Sequence, residues 1–417
     1  MKKAIYLMCV VVVGIFSSCE DSVKEKVVYH INEPIFISKT ELRSQAIVTQ
    51  SPQEIEEQGK LCLYEGYLYI SEPGKGIHII DNRTPASPRN VGFIEIDGNV
   101  DIAVFNDRLY ADHYIDLVYF DISNPAKPEY TGRLEDAFKY ALPIYDNTEF
   151  YDLYSCYDEK NKDKVAVGWK KVKREETIYA YKEGMIGTPH DAMSNSGGSS
   201  AGVNGSMSRF SIHKNYLYTV MNNMMSIIDI SAETPTKPVE DLYVDINVET
   251  IFYYKDHMFL GTPTGMSIYS IEDPLAPERM STIWHINGCD PVVVENDIAY
   301  VTIHSGNFCG QNNNELIIYD VSDVRSPKML VSYAMTKPKG LGIDNGILFV
   351  CDDGLKIFDA SDPQTLMARK LAHYSGMEGY DLIPYNNVLM MIAEDGLYQY
   401  DYTDITKISQ LSKISIK

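Results

Sequence analysis

Tryptophan is scarce in this chain, cysteine is sparse, and basic residues are outnumbered. The 417 residues hold 2 Trp, 7 Cys and 37 Lys+Arg against 58 Asp+Glu, a formal net charge of −21. That deficit of positive charge argues against a nucleic-acid or anionic-membrane surface as partner, because binding phosphate needs clustered Lys and Arg. No C-x-x-C and no H-E-x-x-H occurs, so zinc has no support. A D-x-D-x-D-G calcium loop is missing as well, and no cofactor motif is present. Stretches of ten or more residues without Pro, Gly or alternation, which helical repeats require, are also absent. What is abundant is tyrosine, 31 residues, within 45% hydrophobic content, which is ample for a packed core and suits strands and wet recognition surfaces.

The N-terminus reads as an address. Lys2 and Lys3 precede an apolar run, Ala4 to Phe16, too short to span a bilayer, and Ser17-Ser18-Cys19 follows. Small residues directly before Cys19 resemble a bacterial lipobox, with Phe16 in place of the usual Leu. The acidic start Glu20-Asp21 resembles the export tag of surface lipoproteins in Bacteroides-like bacteria. On that resemblance residues 1–18 are a signal peptide, Cys19 carries the lipid anchor, and residues 19–33 form a polar tether. The chain is then an envelope protein at the outer membrane, touching the membrane through its lipid anchor only.

A phrase of apolar residues running into an acid recurs seven times. It ends at Asp81, Asp121, Asp229, Ser270, Asp320, Asp359 and Asp401. Asp81 to Asp121 is 40 residues, Asp229 to Ser270 is 41, Asp320 to Asp359 is 39 and Asp359 to Asp401 is 42. Two gaps are longer, 108 from Asp121 to Asp229 and 50 from Ser270 to Asp320. Periods near 40 indicate a solenoid, propeller or array. Each period holds four short strands joined by turns such as Glu65-Gly66, Asn106-Asp107 and Asn386-Asn387. Seven such sheets around an axis protect one another's edges. The expected fold is therefore all-β, a seven-bladed propeller of four-stranded antiparallel blades forming a single domain over 34–417. Large residues of the second strands, Tyr69, Tyr110, Tyr218, Phe259, Tyr300, Phe349 and Met390, are expected to pack between blades. The recurring acids are expected to open turns.

The phrases His78-Ile-Ile-Asp81, Ser226-Ile-Ile-Asp229 and Asp320-Val-Ser-Asp-Val-Arg-Ser-Pro327 resemble the LVIVD repeat of bacterial extracellular proteins. The resemblance spans roughly 58–417 outside the large insertion and implies the propeller fold and an extracytoplasmic compartment. Its members mostly lack a defined activity. Ser270 and the proline-free Tyr402-Thr-Asp-Ile405 depart from the pattern. Pro34–Ser38 and Gln45–Thr49 look extended; one of them closes the ring on the last blade, or Ile408–Ile416 completes that blade unaided.

Function on such a scaffold belongs to loops. The aromatic-rich insertion at about 139–205, between blades 2 and 3, offers Tyr145, Tyr151, Tyr154, Tyr157 and Trp169 as a contact surface for a protein or glycan. Within it Lys164–Trp169 is expected to form a hairpin with Thr177–Tyr181. Gly198-Ser-Ser200-Ala-Gly202 matches G-x-S-x-G but lies in a flexible run with no helix after it, so no nucleophile is assigned. Cys289 and Cys309 flank the first two strands of unit five, and a disulfide between them would pin its loop; Cys62 and Cys351 read as core residues. The entrances of the innermost strands bring Lys60, Asp101, Arg209, Thr250, Asp290, Gly340 and Asp381 to the channel mouth. His113 and His304 follow second strands and share a rim. The resulting expectation is a non-catalytic envelope binding or scaffold protein with an unidentified envelope protein or glycan as partner and no nucleic acid. The alternative is a propeller-type hydrolase, a lactonase or glycan-processing enzyme, using acids at the channel mouth.

Overall fold

The computed structural model describes residues 23–57, 59–145, 149–180, 209–221, 223–244, 248, 250–262, 265–284, 291–304 and 314–416. Seven four-stranded antiparallel sheets follow one another in chain order as the blades of a propeller. Their innermost strands are Leu61–Tyr64, Ile102–Phe105, Phe210–His213, Thr250–Tyr254, Val292–Glu295, Leu341–Asp344 and Gly379–Tyr385. We call upper the face carrying the connections from each outer strand to the next inner strand, and lower the face with the turns between first and second strands. Both insertions therefore leave from the upper face.

Local chemistry explains the blade. In five of the seven first-to-second turns both central residues have positive φ, as at Asn106 (49°) and Asp107 (57°) and at Asn386 (49°) and Asn387 (64°). That geometry matches the twist of the flanking strands and favours Asn, Asp and Gly. The recurring acid then acts on the next turn. Asp121, Asp229, Asp320, Asp359 and Asp401 each accept, through Oδ1, the backbone N–H two residues on, at 2.7–2.9 Å. Asp81 does so at 3.3 Å, and Ser270 Oγ reproduces the contact at 3.4 Å. The acids of the repeat are turn-formers, as the sequence indicated.

Alternation along each strand sends one row of side chains to each neighbouring blade. The second-strand residues Tyr69, Tyr110, Tyr218, Phe259, Tyr300, Phe349 and Met390 are all at most 2% exposed. Burying a side chain of that size contributes about 1.5–3 kcal/mol. Cys62 and Cys351 lie buried in these inter-blade cores.

The ring closes without strand exchange. Blade 7 supplies its own outer strand, Ser409–Ser415. Its seam with blade 1 is made by side chains: Leu61, Leu68 and Ile70 against Ile383, Met390 and Ile392. Beside them the buried amides of Asn82 and Gln399 exchange two hydrogen bonds, of 3.0 and 2.7 Å.

The N-terminal region departs from expectation in three ways. Residues 23–33 are no loose tether: Val23–Ser38 is one strand, paired antiparallel with Lys164–Ala180 from Ser38↔Lys164 to Val23↔Ala180. Lys164–Trp169 therefore forms no hairpin with Thr177–Tyr181, since residues 164–180 run as a single strand. The reason is in the residues between, Lys170-Lys-Val-Lys-Arg-Glu-Glu176, which contain no Gly, Pro or Asn to reverse the chain. Finally, Val48–Gln50 adds a fifth strand to the outside of blade 1 and does not reach blade 7.

Candidate functional site

Each inner strand begins at the upper face, and its preceding or first residue approaches the axis. Matching the ladders places Lys60, Asp101, Arg209, Thr250, Pro291, Gly340 and Asp381 at equivalent positions, each opposite the same point of its second strand. Six of these seven positions are those counted from the sequence. In blade 5 the equivalent is Pro291, one residue later than Asp290, which lies outside the described residues. Across blades 7, 1, 2 and 3 the side chains alternate in sign: Asp381, Lys60, Asp101, Arg209. Lys60 Nζ stands 3.7 Å from Asp101 Oδ2, and Arg209 Nε donates to the same oxygen at 3.2 Å. Gly340 makes room for this ring, since a Cβ there would fall 2.7 Å from Asp381 Oδ1.

The ring is not a solvated mouth. Lys60 is 1% exposed and Asp101 0%. Burial lowers the Lys60 ammonium to about 7, against the pull of Asp101 and with a further push from Arg209. Behind the ring lies a residue that sequence reasoning missed, Asp112, at the end of the second strand of blade 2. Its Oδ1 accepts from Asn99 Nδ2 and the backbone N–H groups of Val100 and Asp101, each at 2.8 Å. Burial, then the charge of Asp101, raises this carboxyl to about 7 despite those donors. Burial thus pushes the Lys60 ammonium down and the Asp112 carboxyl up on either side of Asp101. Beside Asp112 lies a cavity of about 50 Å³, lined also by Tyr114 and Arg209 and roofed by Tyr140–Tyr145. A cavity of that size accepts water and little else. The described part of the ring therefore forms a buried ionic plug at the upper end of the channel, on the side of blades 7, 1, 2 and 3. Among the described residues no group of His, Cys, Asp and Glu is arranged to hold a metal ion.

The insertion forms a cap on this face. Tyr145, Tyr151 and Trp169 meet in a triangle with ring centroids 5.0, 5.9 and 4.9 Å apart, and Trp169 Nε1 donates to Pro143 O. These three are half-buried and serve as the cap's own core, not its contact surface. Tyr154 is 84% exposed and Tyr157 46%, and they are joined by Ile144 and Phe150 at 51% and 58%. The sequence nominated the first pair and missed the second, which carried no pattern to separate it from neighbouring turns.

A strap ties the cap to blade 2. The short helix Lys39–Ser44 buries Leu42 against Ile115 and Val165. Arg43 grips the fully buried Asp116 through Nε and Nη2 at 3.0 and 2.9 Å. Arg133 Nη1 and the backbone N–H of Asp136 complete that carboxylate at 2.9 and 2.8 Å. Burial alone would raise the Asp116 carboxyl, but these donors outweigh it and hold it below the usual range. His113, at the same rim, is buried and lowered to about 4 by that burial, with Arg133 adding to it. His304 ends up half-buried on the same face. Cys19, Ser200, Cys289 and Cys309 lie outside the described residues.

The fold defines a seven-bladed β-propeller. Residues 59–94, 99–136, 204–245 and 292–335 match the LVIVD repeat. No curated protein matches the sequence. Among solved structures the chain is similar to a protein from Lactobacillus plantarum, with TM-score 0.53 and 11% identity over 89% of this chain and 97% of that one. It is also similar to the periplasmic gluconolactonase PpgL of Pseudomonas aeruginosa, with TM-score 0.51 and 9% identity over 89% and 96%. BamB from Moraxella catarrhalis gives a TM-score of 0.47 at 8% identity over 89% and 92%. At such identities the likeness concerns the fold alone.

Proposed function

We propose that this propeller is a non-catalytic binding module of the bacterial cell envelope, contacting a protein or glycan with the cap on its upper face. The observation that carries the reading is the group of exposed apolar and aromatic side chains, Ile144, Phe150, Tyr154 and Tyr157, on one inserted segment. Exposed rings of this kind are costly to leave wet and supply the anchors of recognition surfaces. The strap and the Tyr145–Tyr151–Trp169 core hold the segment in place, which reduces the ordering cost of binding. Lipidation at Cys19 and attachment to the outer membrane of a Bacteroides-like bacterium complete the proposal, on the strength of the lipobox-like Ser17-Ser18-Cys19.

The test is a screen of purified envelope glycans and outer-membrane proteins by biolayer interferometry, followed by the double variant Phe150→Ser/Tyr154→Ser. Loss of two aromatic anchors should weaken binding by about 30-fold or more, with melting unchanged. Undiminished affinity in the variant would sink the reading. Cys19→Ala should move the protein from membrane to soluble fractions, and unchanged retention would refute the anchor.

A propeller-type hydrolase is the second reading, favoured by Lys60 and Asp112 standing near neutrality. It needs a substrate to reach them, and the adjoining cavity is water-sized. Asp112→Asn abolishing turnover of a lactone or glycoside would establish it over the binding reading.

A further inference from the structure

Below the ionic plug the channel changes character. Three residues on from the ring positions of their blades, Val104, Ile212, Ile343 and Pro384 form an apolar, half-buried collar together with Tyr253. With the positions above them they enclose a cavity of about 420 Å³ contributed by six of the seven blades. That volume lies within the roughly 300–1,000 Å³ of small-molecule sites, which are likewise apolar with a few placed polar groups.

We propose that this lower bore binds a neutral small molecule with a mainly apolar body, independently of the upper-face cap. Neutrality follows from the lining. Among the described residues no carboxylate lines the cavity, so a cation finds no counter-charge there. The one ammonium at its rim, Lys214, is already paired with Asp256 at 3.2 Å, and the chain's net charge of −21 repels anions. The polar points are the buried Ser211 hydroxyl and the Tyr253 hydroxyl, which shares a 2.8 Å hydrogen bond with His213 Nε2, the two rings stacked 4.2 Å apart. They orient a single hydroxyl, carbonyl or amine of the ligand. Access is from the lower face, where Phe105 and Lys214 adjoin the first-to-second turns of blades 2 and 3. At the upper end stand the buried, paired charges of Lys60, Asp101 and Arg209.

The probe is N-phenyl-1-naphthylamine, a neutral apolar fluorophore with one N–H, titrated into the full chain. Saturable enhancement at one site per chain is expected. Val104→Phe/Ile343→Phe, which fills the bore, should weaken it by at least about tenfold, since a filled pocket loses its contacts and volume together. Should that double variant fail to fold, the single change Ile343→Phe at the same collar provides the reading, with weakening of about threefold expected on the same grounds. The cap variant Phe150→Ser/Tyr154→Ser should bind the probe as the wild type does, whatever becomes of the upper-face reading. Absence of saturable enhancement, undiminished binding by a folded bore variant, or loss of the signal in the cap variant would each overturn the proposal.

Discussion

Replacing Asp116 with alanine should unfasten the N-terminal strap while leaving the ring folded. The Asp116 side chain is fully buried, whereas those of Arg43 and Arg133 are 19% and 12% exposed. Removing one partner of a buried ion pair costs about 3–5 kcal/mol. Both arginines retain some access to water, so the lower end, about 3 kcal/mol, applies here. Against this, the helix Lys39–Ser44 has Leu42 as its one buried anchor, contributing about 2 kcal/mol. The loss exceeds the anchor, so the strap opens locally. Hydrogen–deuterium exchange should show residues 39–45 exchanging about 100-fold faster, because each 1.4 kcal/mol is a factor of ten. Protection in the inner and second strands should be unchanged. Acid should produce the same opening. The folded Asp116 carboxyl is depressed, so its contribution is full above the ordinary carboxylate range and is lost as pH falls through the lowered folded value. Unaltered exchange at 39–45, or loss of protection in every blade, would refute this account of the clamp.

Asp112 predicts the opposite slope. Its folded value, raised to about 7, means that between the unfolded carboxylate value of about 3.9 and 7 the folded chain binds the extra proton, so stability falls as pH rises through that window. Urea midpoints should decline from pH 5 to pH 7, with a total effect on the order of 3 kcal/mol, and Asp112→Asn should flatten the decline; a slope surviving in the variant places its origin elsewhere. Lys60, depressed to about 7, acts only above that pH and in the other direction. At the seam, Gln399→Leu strands the buried Asn82 amide and should cost about 1–3 kcal/mol, whereas the double change Asn82→Leu/Gln399→Leu should recover much of it. A double variant no more stable than the single one would show that the amide pair is not what destabilises the seam.

The blade was legible because its determinants are local. An acid, a turn two residues on and an alternating strand are read from ten consecutive residues, and even Ser270 kept the geometry of the acid it replaces. The charged ring was legible by counting back from each first strand, and the count slipped only in unit five, at Asp290 in place of Pro291. What escaped is non-local. Nothing in residues 164–180 names Val23–Ser38 as their partner. Nothing near Asp116 announces Arg43, 73 residues away. Burial of the ring was equally hidden, because the sequence supplies charges but not the plug they form. The aromatic insertion showed that it would pack, though not which tyrosines would be left outside.

Closure by side chains alone has a consequence for how the molecule is made. Most propeller contacts join neighbours in the chain, so each blade gains its partner as the next one emerges. The seam is the exception: Leu61, Leu68 and Ile70 must wait for Ile383, Met390 and Ile392, more than 300 residues later. Until then one flank of blade 1 stays wet, exposed to chaperones and proteases. Loss of the final strand Ser409–Ser415 would strip blade 7 at its outer edge but leave those inner contacts available. For the same reason the chain should tolerate new termini at another blade junction once its present ends are linked, since no interlocked sheet marks the existing seam as special.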